Sequence, residues 1–265
     1  VGDDVRDPRV QNPSISEELK KEFPDRIINR MPLVEEMLCG IGLGMSVGGL
    51  KPIIQFDHGT FIPLALHELH RLGIWRYRMN EREGPGIVIR VGHSGYSADG
   101  EEFSALHLAH LFHLPNWWIA VPAYAYHAKG LLKSAIRANR PVLFVEHKHS
   151  SVYYREGVVP SEEYLTPFGT SVRVKTGKNV TVVAWMLMAH SAFAAAELLL
   201  KNEQIEAEVI SLQTLYPMDM PAILESARKT GRVLIVEEEM ERGGIGAEIC
   251  ARLASHLPGC RIERL

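Results

Sequence analysis

Two adjacent carboxylates, Glu35 and Glu36, open the stretch of the chain best suited to chemistry. They follow Pro32 in Met31–Gly49, MPLVEEMLCGIGLGMSVGG, and lead into an apolar run with glycine at Gly40, Gly42, Gly44, Gly48 and Gly49. Each glycine lowers helix propensity by about 1 kcal/mol relative to alanine, so glycines at this density need a second reason. Close approach of the backbone to a neighbouring helix or a ligand supplies one. A carboxyl group at the head of such a helix is expected to sit half-buried, where it takes up a proton more readily and can share it with a ligand nitrogen. A tightly packed interface helix with solvated glutamates fits the spacing equally well.

Other candidates carry less. His107, His110 and His113 recur every three residues, as do His67 and His70, a spacing that lets two imidazoles share a metal. The longer series drifts around the helix and no carboxylate or thiolate completes it, so these histidines read as structural and no metal ligand is nominated. Trp117 and Trp118, ahead of an apolar run, read as core or interface. The charged run EEEMER at 237–242 reads as a solvated loop at the end of a strand, with Gly243 and Gly244 entering the next helix. In open α/β sheets that edge is also where ligands and partners dock, which makes it the expected subunit contact of its domain.

The elements that position these residues follow from hydrophobic periodicity. Residues 1–30 are polar and irregular, with a short candidate helix near Ser16–Glu22. Beyond the Gly-rich helix, the pattern predicts a strand at Lys51–Phe56, a helix over Phe61–Arg78, a strand at Gly86–Val91 and a helix over Phe103–Leu114. It continues with a strand at Trp118–Val121, a helix over Ala125–Ala138 and a strand at Val142–Glu146. A charged, proline-containing linker spans 151–167. The rhythm then restarts with strands at Asn179–Trp185, Ala207–Ser211 and Arg232–Glu237, helices at Ser191–Lys201, Met220–Ala227 and Ile245–Ser255, and a last strand beginning in CRIERL. Such alternation implies parallel βαβ units around a buried sheet. The expected fold class is α/β, with two parallel-sheet domains at 1–150 and 168–265.

Composition agrees with this and narrows the function. The chain has 265 residues, enough for two domains, with 46% hydrophobic and 23% charged residues, the balance of a soluble protein with a sizeable core. A net charge of −3 gives no electrostatic case for nucleic acid or an anionic membrane. No apolar run approaches the ~20 residues of a membrane span. The three cysteines, Cys39, Cys250 and Cys260, are widely spaced and fit buried thiols in a reducing compartment, the cytoplasm or, in a eukaryote, the mitochondrial matrix. The chain opens on Val1 and closes on a strand just begun, so further sequence is expected at both ends.

The order of MPLVEEMLCGIGLGMSVGGLKPIIQF, HAKGLLKSAIRANRPVLFVE, VISLQTLYPMD and GGIGAEICARL resembles the β subunit of the thiamine-diphosphate-dependent first component of 2-oxo acid dehydrogenase complexes, of the pyruvate and branched-chain type. The resemblance runs from Gly2 to about Leu253. It implies a transketolase-like pyrimidine-binding domain followed by a transketolase C-terminal-like domain. It also implies an α-type partner in an α2β2 heterotetramer, the partner holding the cofactor's diphosphate through Mg2+ and this chain holding its aminopyrimidine. Glu35 falls on the family's cofactor-activating glutamate, whose carboxyl bonds a pyrimidine nitrogen and so promotes proton removal from the thiazolium carbon. Glu36 is the alternative. Phe61 matches the aromatic that packs on the pyrimidine, and Leu33 a position near the pyrimidine's backbone contacts.

The pocket the resemblance implies is altered. Asp57 stands where the family usually has an apolar residue, and Leu64 where it often has glutamine. The largest departure is at Glu102, Phe103 and Ser104, which align with the family's Gln-His-Ser. A phenyl ring neither donates, accepts nor carries a proton, so a reaction that needs the histidine must use another group. His58 and His93 are the nearest candidates in sequence, with Glu101 and Glu102 next. In the second domain Gln213 replaces a common arginine. The resemblance implies decarboxylation of a 2-oxo acid and transfer of the acyl or aldehyde unit to an acceptor, a lipoyl-bearing acyltransferase being one candidate. The alternatives are a split transketolase-like transferase moving a ketol unit, and a non-catalytic assembly or regulatory subunit.

Overall fold

The computed structural model of the chain describes residues 19–28, 31–32, 34–56, 58–80, 84–93, 95–96, 100, 102–104, 108–150 and 158–265. Their elements run a 3-10 turn (Pro24–Arg26), α1 (Glu35–Val47), β1 (Ile53–Phe56), a 3-10 segment (Gly59–Ala65), α2 (Leu66–Arg78), β2 (Val88–His93), a 3-10 turn (Glu102–Ser104) and α3 (Leu108–Phe112). Next come β3 (Trp118–Ala120), α4 (Ala125–Arg137), β4 (Val142–His147), β5 (Ser171–Lys175), β6 (Val180–Trp185) and α5 (Met186–Glu203). The chain ends with β7 (Ala207–Leu212), β8 (Thr214–Tyr216), α6 (Met220–Thr230), β9 (Arg232–Val236), α7 (Ile245–His256) and β10 (Arg261–Arg264). The described residues fall into two compact units. The first lies within Val1–His107, Leu114–Trp118 and Ala135–Lys148, the second within Leu108–His113, Ile119–Ser134 and His149–Leu265.

In the first unit β1, β2 and β4 are parallel, with Ile53 opposite Val88 and Val88 opposite Val142. Their apolar residues, including Ile54, Phe56, Ile89, Val91 and Phe144, are sealed from water, as expected of strands buried on both faces. Helix α1 lies close on this sheet because Gly42 has no side chain: a Cβ there would stand 2.6 Å from Ile87 Cδ1 and 3.0 Å from Ile54 Cδ1. Gly40 and Gly44 face the other way, with nothing within 4 Å of a Cβ at either position. Helix α2 is pinned by the residues before β3. The Trp117 indole donates to Leu69 O at 2.8 Å, and Asn116 Nδ2 donates to Gly73 O at 2.8 Å. Trp117 is therefore core, and its polar edge is satisfied.

In the second unit the sheet order is β10-β9-β6-β7-β5. Its first four strands are parallel and β5 runs antiparallel to β7 at the edge. In the same unit Ile119 and Ala120 of β3 pair antiparallel with β8. Small residues of α5, Ala189, Ala192 and Ala196, pack on Val182, Ala184, Ala207 and Val209. Two carboxylates fix helix starts. Asp219 caps α6 by accepting from Ala222 N at 3.3 Å, and its other oxygen accepts from Ser171 N and Oγ at 3.0 and 2.7 Å. Glu237, just after β9, accepts twice from Gly246 N in the first turn of α7, at 3.1 and 3.0 Å, and once from Arg264 at 2.7 Å.

The structure departs from the expected elements in three places. The helix expected over Phe61–Arg78 is α-helical only from Leu66; Pro63, which has no N–H to donate, lies in the 3-10 segment ahead of it. The helix expected over Phe103–Leu114 is reduced, among the described residues, to the 3-10 turn at Glu102–Ser104 and the five residues of α3. Strands β5 and β8 were not expected, and β5 makes the second sheet mixed rather than wholly parallel.

Gly73 sets a test of this packing. A Cβ at Gly73 would stand 2.1 Å from Pro115 O and 3.0 Å from Trp117 Cδ1, and a backbone oxygen cannot step aside. Gly73→Ala gains up to about 1 kcal/mol of helix propensity but overpacks the site by about 1–3 kcal/mol or more. The variant is expected to unfold at lower urea concentration than the parent chain; an unchanged or higher midpoint would show that the contact is soft.

Candidate functional site

The carboxyl edge of β1, β2 and β4 gathers the polar and aromatic residues of the first unit, at the edge where open α/β sheets bind ligands. His58 precedes the 3-10 segment that follows β1, and Gly59 is the first residue of that segment. A Cβ at Gly59 would stand 2.3 Å from His93 Nδ1, so the turn rests directly on the imidazole that ends β2. His93 is buried and lies opposite His147, which ends β4 and is also buried. Above them three half-buried rings meet. His58 and Phe103 have centroids 4.9 Å apart, Phe61 and Phe103 5.9 Å at 80°, and His58 and Phe61 6.1 Å at 86°. The two pairs with Phe61 are edge-on, as aromatic rings prefer, and the His58–Phe103 pair is tilted at 54°. Lys148, one residue past β4, donates from Nζ to Phe103 O at 2.6 Å.

Glu35 occupies the first turn of α1, which packs on the same 3-10 segment and on α2. It is buried, at 5% exposure, rather than half-buried, while Glu36 is exposed. No hydrogen-bond partner for the Glu35 carboxylate is found among the described residues. One turn on, Cys39 is sealed from water, and its thiol pKa is pushed up to about 12, first by burial and then by the charges of Glu68, Glu35 and Glu36. Glu68 is a second buried carboxylate, on α2, paired with Arg71 at 2.6 Å.

The structure thus brings together Phe61, Phe103, His58 and His93, with Glu35 on the adjoining helix. Leu64 is 65% exposed and lies outside the ring cluster, and Leu33 and Asp57 lie outside the described residues. Sequence reasoning nominated none of His147, Lys148 and Glu68 for the site. The signal for His147 was that the apolar runs of β2 and β4 both end in histidine, which pairs the two once the strands are neighbours. Glu68 stood at a helical position between Ala65 and Leu69, Leu72, where the apolar stripe predicts burial. Among the described residues no three His, Cys, Asp or Glu side chains converge on a metal site, and no helix is long and apolar enough to cross a membrane.

Comparison with known proteins matches residues 1–152 to the transketolase pyrimidine binding domain and residues 169–264 to the transketolase C-terminal domain. The 2-oxoisovalerate dehydrogenase subunit beta of Bacillus subtilis is 36% identical over 90% of this chain and 72% of its own. The pyruvate dehydrogenase E1 component subunit beta of Porphyra purpurea is 36% identical over 92% of this chain and 73% of its own. The chain belongs to the family of 2-oxo acid dehydrogenase β subunits with transketolase-type domains. The same identity, 36%, relates this β-type subunit to the acetoin:2,6-dichlorophenolindophenol oxidoreductase subunit beta of Cupriavidus necator, over 92% of this chain and 72% of the relative. Among solved structures, a split-gene transketolase described as an inactive β4 tetramer superposes with a TM-score of 0.78 at 28% identity, covering all of this chain and 81% of that one.

Gln213, where the resemblance implies an arginine, has a local account. Gln213 is fully buried, where its Nε2 donates to Ser211 Oγ at 2.9 Å and its Oε1 accepts from Ala123 N at 3.3 Å. A neutral amide satisfied on both ends suits that place; a guanidinium would need a counter-charge.

The electrostatics around α1 yield a direct test. At pH 8 a thiol pKa near 12 leaves Cys39 about a thousandth of the thiolate of an ordinary cysteine, and burial restricts access further. Iodoacetamide is expected to modify Cys260, which is partly exposed, while Cys39 stays unmodified until the chain unfolds. Peptide mass spectrometry reads both sites, and equal rates in the native chain would contradict the burial of Cys39.

Proposed function

We propose that this chain is the pyrimidine-binding half of a thiamine-diphosphate-dependent enzyme that decarboxylates a 2-oxo acid and passes the remaining unit to an acceptor. The observation that carries the reading is the buried Glu35 carboxylate in the first turn of α1, beside a segment that presents Phe61. A heterocycle with a basic ring nitrogen and a flat face fits that pair: the carboxyl bonds the nitrogen and the phenyl covers the face. Glu36, exposed on the same turn, is a poorer candidate for the role.

When bound, thiamine diphosphate supplies a carbon nucleophile that attacks the substrate carbonyl and accepts the electron pair released with carbon dioxide. The chain's own residues hold and screen it. Glu35 keeps a proton at the ring nitrogen, in a setting where removal from water strengthens the bond. His58, in contact with Phe103, is the imidazole placed to exchange protons with substrate. His93 is buried beneath Gly59 and serves better as the support of that turn than as a proton carrier. Phe103 contributes an apolar wall.

An α-type subunit completes the site in this reading, holding the diphosphate through Mg2+ in an α2β2 assembly. The exposed strip at Gly40 and Gly44, open on the outer face of α1, is suited to close approach by another backbone and supports such a partner. The acceptor is a lipoyl-bearing acyltransferase, and the enzyme works in the cytoplasm or a mitochondrial matrix. The 28% identical split-gene transketolase keeps the transferase as the second reading.

Carbon dioxide release from a panel of 2-oxo acids tests the proposal, using the chain purified with its α-type partner, thiamine diphosphate and Mg2+. Release is expected, and Glu35→Gln is expected to lower it at least about 100-fold, the lower range for loss of a general acid-base group. Release that survives Glu35→Gln would remove the assigned role; an assembled, cofactor-loaded complex that releases none would favour carbonyl-to-carbonyl transfer. Phe103→His is expected to shift acceptor preference, read by competition between lipoyl and aldehyde acceptors, and a uniform rise in rate would argue that the phenyl has no selective role.

A further inference from the structure

We infer that the residues closing β4, His147 and Lys148, fix the position of the Phe103 ring and thereby set the size of substrate side chain the site admits; the part that concerns substrate rests on the decarboxylase reading above. Lys148 is a positioning residue in this scheme, acting through Phe103.

Lys148 is only 8% exposed, and two of its bonds are directed at the site. Its backbone N–H donates to His93 O at 3.1 Å, which extends the β2–β4 ladder by one bond. Its ammonium donates to Phe103 O at 2.6 Å. A hydrogen bond from a charged donor is shorter and about twice as strong as a neutral one, and a buried ammonium is costly to leave without such a partner. The 3-10 turn it holds is three residues long, too short to keep its own place. Its described internal support is a single bond, Ser104 Oγ to Gly100 O at 2.8 Å.

A second tether meets the same strand end. Tyr96 has a left-handed backbone, φ 71°, which a non-glycine residue adopts only against a steric cost, and its ring stacks on His147 at 6.4 Å and 23°. Three residues past β2 the Tyr96 ring, 68% exposed, lies over His147, and at Phe103 the chain is fastened to Lys148. The Phe103 ring is left at a set depth against His58 and Phe61. An apolar wall held in place discriminates side chains by about 10–200-fold per methylene, and a wall free to shift loses much of that.

Chymotrypsin reads the tether without any turnover. Cleavage after Phe103 in the full chain is compared with cleavage after Tyr77, which is exposed in the same unit, so that general unfolding cancels. Lys148→Met is expected to raise the Phe103/Tyr77 ratio about tenfold, and Lys148→Arg, which keeps a charged donor, to leave it within about twofold. An unchanged ratio in Lys148→Met, or an equal rise in Lys148→Arg, overturns the tether. Should Lys148→Met fail to fold, Lys148→Gln, a neutral donor, is expected to give an intermediate ratio, and a ratio equal to the parent's overturns the proposal. In the complex with its α-type partner, the kcat/KM preference between a linear and a branched 2-oxo acid is expected to shrink about tenfold in Lys148→Met and to return in Lys148→Arg. A loosened turn with unchanged preference overturns the role in specificity. A parent complex that releases no carbon dioxide counts against the decarboxylase reading alone, and the cleavage ratio still decides the tether.

Discussion

The contact between the Gly59 backbone and the His93 imidazole determines what the first unit can display. Parallel strands end with their carbonyls and last side chains pointing at whatever covers the edge, and here the cover is a 3-10 segment laid on a buried ring. Any side chain at position 59 would lift that segment off β2. With glycine it lies flat, and His58 and Phe61, on either side of the contact, come to the height at which they meet Phe103. Helix α1 packs on the same segment, so the placement of Glu35 is coupled to the same contact.

Around Glu35 the unit accepts an unfavourable electrostatic arrangement. Two buried carboxylates, Glu35 and Glu68, flank a sealed thiol, and only Glu68 has its own cation among the described residues. Burying a carboxylate without a donor costs several kcal/mol unless a ligand or a proton compensates it. Proteins keep such groups mostly where they act, which supports the role proposed for Glu35.

Much of the architecture was legible because it is written in local periodicity. The Gly-rich helix, the apolar strands and the restart of the alternation after 167 all appear in the structure within a few residues of their expected places. The rest depended on partners that local sequence does not name. Strand β5, SVRVK, is short, mixed in polarity and held at an edge by β7, so nothing in its five residues distinguishes it from a loop. Pro63 delays α2, yet its effect depends on the cover that β1 needs. His147 gains meaning only from the adjacency of β2 and β4. A lysine just past a strand reads as solvated, and nothing local predicts that the carbonyl of Phe103 will fold down onto it.

The Glu237 carboxylate at the start of α7 has a consequence beyond the stability of the second unit. Glycines at 243, 244 and 246 between a strand and a helix look like a cradle for phosphate, because the exposed N–H groups and dipole of a helix start attract anions. Here the chain has installed its own anion: Glu237 already accepts from Gly246, and Arg264 neutralises what charge is left over. Gly246 is small so that this internal carboxylate can fit, since a Cβ there would stand 2.3 Å from it, whereas Gly243 serves a left-handed turn at φ 79°. The first-turn N–H of Gly246 is thereby occupied from within, so a glycine spelling that resembles a phosphate binder serves here a helix start that the chain caps itself.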